Sequence, residues 1–241
     1  MGWHFHRIWS TDWFHRRAAE IARLEAALKA AMTARTPPPV EPKPPAPAAA
    51  PVARAMPQTT GSPYAVANFT VLETGEPHEL ATAKMAQIVA RIVKAEGPVH
   101  EEEIARRVAG LFGKDRAGSR ILEAARAALA HLARLDGNLK RHDGFWFTLA
   151  QQAACPVRDR SAVPASLQKA AMLPPMEIAA AIRRVLDDNG EVTRDELLPA
   201  VARLFGFQRT GPDLRGVLEA ALEDVLRDGG AREETGRVRL A

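Results

Sequence analysis

Two segments of the sequence decide the predicted fold: GPVHEEEIARRVAGLFGKDRAGSR at residues 97–120 and GEVTRDELLPAVARLFGFQRTG at residues 190–211. Each contains a glycine turn, a short extended entry, a helix-forming run, a glycine stop and a basic loop. Matching positions keep a constant offset of 93 residues without a gap. The pairs are Gly97 and Gly190, Phe112 and Phe205, Gly113 and Gly206, Arg116 and Arg209, and Gly118 and Gly211. This constant offset predicts a duplicated module.

Three helices and a hairpin are predicted around the first segment. Apolar residues recur at helical spacing over Met85–Val93, Ile104–Phe112 and Ser119–Leu135. The following residues 138–147 are typical of a two-stranded ribbon, with Asp143-Gly144 as its turn. Three helices followed by a hairpin are the plan of a winged helix, a relative of the helix-turn-helix motif.

The second segment predicts the same plan. Apolar stripes over Ile178–Leu186 and Leu214–Val225 indicate its first and third helices. Thr193 and Glu196 have the spacing of a capping box at the start of its second helix. A second ribbon surrounds Gly236. We therefore predict a mainly α fold with small β-hairpins, built from tandem winged-helix modules.

Composition divides the rest of the chain. Residues 3–9 alternate bulky and polar side chains like a strand, and Ile21, Leu24 and Leu28 indicate a helix. Ten of the eighteen prolines fall between Thr36 and Pro63, which predicts a disordered linker. The predicted boundaries are 1–35 for a strand-helix piece, 36–78 for a linker, 79–150 for the first module, 151–173 for a second linker and 174–241 for the second module.

Charge separates the two modules. Residues 80–148 hold 12 basic and 8 acidic side chains, a net charge of +4, whereas residues 174–241 hold 10 basic and 13 acidic ones, a net charge of −3. A basic surface attracts a polyanion and an acidic surface repels one. We therefore expect the first module to contact nucleic acid. For the second module a protein partner is the better interpretation, because acidic residues crowd its third helix.

The candidate nucleic-acid-binding residues lie in the loop, on the third helix and on the ribbon of the first module. They are Lys114, Arg116, Arg120, Arg126, Lys140 and Arg141, with His142 beside them. Arg116 and Arg120 flank a helix start, where backbone amides favour a phosphate. The alternative is a solvated polar face, with Glu123 spaced to pair with either Arg120 or Arg126. Phe145, Trp146 and Phe147 are expected to anchor the ribbon to its own core rather than to stack on bases.

The sequence offers little for catalysis. Cys155 is the only cysteine, and no phosphate-binding glycine loop or Ser-His-Asp arrangement is present. We therefore predict no catalytic residue, no metal site and no cofactor. No apolar run is long enough to span a membrane, so the expected location is the cytoplasm, without membrane contact.

Residues 97–107 and 116–121 resemble a domain of unknown function found at the C-terminal end of large bacterial superfamily I helicase-like proteins. Residues 6–13 resemble the last strand and helix of the very-short-patch-repair-like endonuclease domain that precedes this tail. The resemblance implies a role in nucleic-acid processing beside a helicase or nuclease, which would be a protein partner or missing upstream domains. The motor and the nuclease's catalytic residues lie outside the resemblance, so no catalytic role is carried over.

Three functions follow as hypotheses. The first is a non-catalytic, nucleic-acid-binding accessory of a helicase–nuclease DNA-processing system, with the first module on the DNA backbone. The alternative is a protein–protein adaptor in which both modules bind partner subunits. A nuclease in its own right is the third, and we expect no metal-dependent cleavage.

Overall fold

The structure, a computed structural model, describes residues 17–33 and 61–241, and it is mainly helical with small antiparallel sheets. The chain divides into two compact units, Met1–Arg54 and Ala55–Ala241. In the first, the predicted helix is present as α1 (Arg17–Thr33). The strand predicted over residues 3–9 lies outside the described residues. Within the described ranges, no helix is long and apolar enough to cross a membrane.

The larger unit contains the same series of elements twice. A short strand β1 (Ser62–Pro63) comes first. The first module contains α2 (Thr82–Glu96), β2 (Val99–His100), α3 (Glu101–Leu111), α4 (Ser119–Leu135), β3 (Leu139–His142) and β4 (Phe145–Thr148), followed by α5 (Leu149–Ala153) and β5 (Arg158–Asp159). The second module contains α6 (Pro175–Asn189), β6 (Val192–Thr193), α7 (Arg194–Leu204), α8 (Pro212–Arg227), β7 (Ala231–Glu234) and β8 (Arg237–Leu240).

Each module has a three-stranded antiparallel sheet in which the last strand lies in the middle. The orders are β2-β4-β3 in the first module and β6-β8-β7 in the second. The predicted Asp143-Gly144 turn is present, with φ values of 46° and 80°. Its counterpart is Thr235-Gly236, at 51° and 75°. Two positive φ angles match the twist of a tight hairpin, and glycine adopts its angle without strain.

The two modules have separate apolar cores. Ile92, Ile104 and Leu129, fully buried, belong to the core of the first module, and Ile182 and Leu218 belong to that of the second. The capping box predicted at the start of α7 is confirmed. There the Glu196 carboxylate accepts hydrogen bonds from the Thr193 amide at 3.0 Å and from the Thr193 hydroxyl at 2.9 Å.

The connections on either side of the first module are more ordered than their composition predicted. Residues 61–78, expected to belong to a linker, include buried Tyr64 and Ala67. In the second connection, Leu167 and Met172 are buried, and β5 pairs in parallel with β1. The composition of both segments lacks apolar periodicity, but isolated apolar side chains in each are buried. Residues 36–60 of the first predicted linker lie outside the described residues.

A buried ionic centre, here called the inter-module clamp, joins the modules. It consists of Arg158, Arg160 and Glu177, of which Glu177 is 0 % exposed. Arg158 Nη2 donates to Glu177 Oε2 at 2.7 Å and to the Pro98 carbonyl at 2.9 Å. Arg160 donates to both oxygens of the same carboxylate, at 3.0 Å to Oε1 and 2.7 Å to Oε2. One guanidinium therefore contacts α6 of the second module and the turn after α2 of the first.

Tyr64 covers this centre. Its ring centroid lies 4.6 Å from the Arg158 guanidinium, and its hydroxyl donates to Glu96 Oε2 at 3.0 Å. Burial, with the nearby charge of Glu96, raises the pKa of Tyr64, so the hydroxyl keeps its proton. The segment before the first module is thus part of the contact between the two modules.

Candidate nucleic-acid interface

The loop between α3 and α4 and the first turn of α4 carry three of the predicted contact residues. Lys114 Nζ lies 2.6 Å from Glu76 Oε1. The hydrogen bond from Lys114 lowers the pKa of Glu76, and the positive charge of Arg120 adds to this effect. Arg116 and Arg120 are exposed and have no ion-pair partner within residues 17–33 and 61–241. The structure therefore leaves two of these three cations open to a ligand.

Two more predicted residues converge on one carboxylate. Glu101 begins α3 and its side chain is only 8 % exposed. Arg126 from α4 donates to Glu101 Oε1 at 2.8 Å, and Arg141 from β3 donates to Oε2 at 3.3 Å. Burial raises the pKa of Glu101, but the hydrogen bond from Arg126 and the charges of both arginines outweigh burial and hold it below its usual value. Glu101 is therefore an anion that orients two arginines.

The ribbon divides its cations between two faces. Arg141 lies across from Trp146, with its guanidinium 5.9 Å from the ring centroid, and Trp146 belongs to the core of the first module. Lys140 lies across from Phe147, on the opposite face. Trp146 and Phe147 are 5 % and 3 % exposed, which excludes both from stacking on bases in this conformation. The expectation that the aromatics anchor the ribbon is confirmed for Trp146, whereas Phe147 points away from that core.

The six predicted residues thus form two pairs and two single residues, of which Arg116 lies in the loop before α4 without an ion-pair partner among the described residues. Lys114 and Arg120 lie near Glu76, Arg126 and Arg141 meet at Glu101, and Lys140 lies on the other face of the ribbon. The sequence offered Glu123 as the partner of Arg126, but in the structure Arg126 pairs with Glu101, 25 residues away. Glu101 was not among the candidate binding residues that the sequence singled out. Its role as a hub was missed because the pairing is long-range.

Two further sets of buried charges had no sequence signal. Glu103, fully buried, accepts from Arg106 and from the Ser166 hydroxyl. Arg158 and Arg160 lie in what composition marked as a linker. Their partner Glu177 is 17 to 19 residues further on, outside any local pairing rule.

The second module has an equivalent hub of opposite charge. Arg194 begins α7, 93 positions after Glu101. Its guanidinium donates to Glu223 on α8 and to Glu233 on β7, the latter at 2.9 Å from Nε. The hydrogen bond from Arg194 lowers the pKa of Glu233. Carboxylates therefore occupy the third helix and the ribbon here, where the first module has arginines.

Comparisons with known proteins give one match. Residues 76–123 match the model of a protein family of unknown function, DUF3320. The matched range runs from Glu76 through α2 and α3 to the first residues of α4. It contains residues 97–107 and 116–121, which resemble the domain of unknown function, and does not include residues 6–13. No curated protein and no solved structure matches the chain.

Proposed function

We propose that this chain is a non-catalytic, nucleic-acid-binding accessory of a helicase–nuclease DNA-processing system, in which the first module contacts the DNA backbone. Both modules are, in this proposal, winged helices. The order helix, strand, helix, helix and hairpin supports this, together with the central position of the last strand in each sheet. The match to a family of unknown function leaves the helicase context as an implication of the resemblance alone.

The observation that carries the proposal is the pair of exposed cations at the start of α4. Arg116 and Arg120 flank Gly118, which precedes the helix. In a helix-turn-helix relative, the start of the third helix is the part that approaches DNA. The positive end of the helix dipole and free backbone amides favour a phosphate at the same place. Unpaired guanidiniums there have bidentate geometry for phosphate oxygens.

The proposed surface extends along α4 to the Glu101 hub. Arg126 and Arg141 each use part of their guanidinium on Glu101 and are about half exposed, at 49 % and 54 % of the side chain. Arginine has five N–H donors, so donors remain for a phosphate. The hub fixes the two arginines and reduces the entropy lost when DNA binds.

The test is a DNA-binding titration with the full chain. A labelled duplex of about 20 base pairs is titrated at several salt concentrations, because each neutralised phosphate contributes a slope of about −0.9 to log K against log salt. The double variant Arg116→Glu and Arg120→Glu is expected to lose at least about tenfold in affinity and to flatten the slope by about two phosphates. Unchanged affinity and slope in this variant contradict the proposal.

The chain offers a matched control. Arg209 lies 93 positions after Arg116, in the equivalent loop of the second module, and is also exposed. Arg209→Glu is expected to leave DNA affinity within about twofold, because the neighbouring surface is acidic. An equal loss in this variant would show that overall charge, rather than the first module's surface, controls binding.

The alternative function is a protein–protein adaptor. The acidic third helix of the second module favours it for that half of the chain. If both modules bind protein, the wild-type chain shows no salt-dependent DNA binding in the same titration.

A further inference from the structure

A groove lies between the two modules, within the larger compact unit. Its volume is about 960 Å³. The outer face of the first module's ribbon forms one wall, with Lys140 and Phe147. Helices α6 and α8 of the second module form the floor and the other wall. The inter-module clamp fixes the two walls relative to each other through buried hydrogen bonds, so the groove is formed in advance of any ligand.

The floor of the groove consists mainly of small apolar side chains. Ala179 and Ala180 on α6 and Ala221 on α8 line it, beside Met176. Small side chains allow another backbone to approach two helices closely, as in packing of ridges into grooves. Methionine adapts to different apolar partners. The volume corresponds to roughly two turns of an α-helix about 10–12 Å in diameter.

The walls carry charged side chains of both signs. Lys140 on the ribbon, Arg183 on α6 and Asp228 after α8 line the groove and are exposed. None of the three has an ion-pair partner among the residues that the structure describes. Asp224, also in the lining, pairs with Arg227 at 2.6 Å. Arg141 and His142 of the ribbon also line the groove, and Arg141 uses part of its guanidinium on Glu101. The lining therefore has cations on the ribbon and on α6, and carboxylates at the end of α8.

The mixed signs of these charges favour a peptide helix over a nucleic-acid strand as the ligand. A nucleic-acid strand carries negative charge along its whole length and would meet Asp224 and Asp228. A helix has two edges, which can carry different charges beside an apolar seam. We infer that the inter-module groove binds an amphipathic α-helical segment of a partner protein, with acidic residues toward Lys140 and Arg183 and a basic residue toward Asp228. This goes beyond the proposed DNA contact and does not depend on it.

The probe is a displayed library of amphipathic helices of about 14 residues, roughly four turns, with a fixed apolar seam. Edge positions vary among Glu, Lys and Gln, and selection uses the full chain. The expected result is enrichment of Glu on one edge and Lys on the other. Selected peptides without an edge preference overturn the inference.

Variants then locate the bound peptide. Ala180→Trp fills the floor of the groove and is expected to weaken the selected peptide at least about tenfold. Ala220→Trp is the matched control, because Ala220 is exposed on α8 and does not line the groove. Equal affinity of the peptide for the Ala180→Trp variant and the wild type places the peptide elsewhere and overturns the inference.

A charge reversal tests the same point without changing the floor. Asp228→Lys is expected to weaken the selected peptide, and a peptide whose facing Lys is replaced by Glu is expected to recover the loss. Arg116→Glu with Arg120→Glu should leave peptide affinity unchanged, which separates this inference from the DNA proposal. If a single-stranded oligonucleotide, but no peptide, loses about tenfold with Ala180→Trp, the groove is a nucleic-acid site and the inference is wrong.

Discussion

In both modules a charged residue at the start of the second helix ties the third helix to the hairpin, but the charges are exchanged. In the first module this residue is Glu101, and it holds two arginines. In the second it is Arg194, and it holds two glutamates. The two hubs connect equivalent elements within sheets of the same strand order. The two modules thus share an arrangement of opposite charges here, and the signs of the hub and of its partners are exchanged between them.

This exchange of signs gives two modules with the same strand order different surfaces. Exchanging the sign at a hub preserves the number of ion pairs and changes what faces solvent. The first module presents arginines on its third helix and ribbon, and the second presents carboxylates. A polyanion favours the first surface and is repelled by the second. The comparison also shows unequal burial, since the side chain of Glu101 is 8 % exposed and that of Arg194 is 35 % exposed.

The largest expected effect comes from breaking the clamp that holds the two modules side by side. Glu177→Gln leaves the buried guanidiniums of Arg158 and Arg160 without a counter-charge. Removing one partner of a buried ion pair costs about 3–5 kcal/mol of unfolding free energy. Urea unfolding followed by circular dichroism measures it. The exposed Glu191→Gln is the control, and equal midpoints for the two variants would show that the clamp contributes nothing.

The Glu177 carboxylate also predicts that the stability of the chain falls at acid pH. Burial raises the pKa of Glu177, but the charges and hydrogen bonds of Arg160 and Arg158 outweigh burial and hold it below its usual value of 4.5. As the pH falls, Glu177 is therefore protonated in the unfolded chain before it is protonated in the folded chain. The contribution of the Glu177 carboxylate to the unfolding free energy is fully present above about pH 4.5. It is lost as the pH falls through the lower pKa that Glu177 has in the folded chain. Between about pH 6 and 3 the unfolding free energy of Glu177→Gln should fall less steeply than that of the wild type.

Substitution of the two hub residues is expected to lower the unfolding free energy by different amounts. Glu101→Gln removes the counter-charge of two arginines at a nearly buried position and should cost about 1–3 kcal/mol. Arg194→Gln acts at a more exposed position, where screening limits the cost to about 1 kcal/mol or less. Thermal unfolding of both variants in one buffer measures the difference. A larger loss for Arg194→Gln would contradict the role assigned to burial.

The smallest effect concerns the two hairpin turns. Thr235 has a φ of 51°, a left-handed conformation that disfavours a β-branched side chain, while Asp143 at 46° is a residue that tolerates it. Thr235→Asn should stabilise the chain by about 0.5–1 kcal/mol. Asp143→Asn should change the stability much less. The two melting temperatures provide the measurement, and destabilisation by Thr235→Asn would show that its hydroxyl contact with the Glu234 carbonyl dominates.

Local patterns predicted the helices and turns because their causes are local. Apolar spacing located α4 with both ends, and the Asp-Gly pair located the first hairpin turn. Glu101 as a hub required knowing that residues 25 and 40 positions away would meet it. The clamp was missed for a second reason. Arg158 and Arg160 lie in a connecting segment whose polar composition normally indicates exposure. Their burial depends on the shared partner Glu177 and on backbone carbonyls distant in the sequence.

The clamp also sets limits on how this chain can be dissected. A cut anywhere between residues 151 and 157 would leave Arg158 and Glu177 on one fragment and the carbonyls of Glu96 and Pro98 on the other. A cut between residues 161 and 173 would separate both guanidiniums from their carboxylate. Each fragment would then lack buried hydrogen bonds that its module makes in the intact chain. Biochemical work on either module is therefore best done by point substitution in the intact chain.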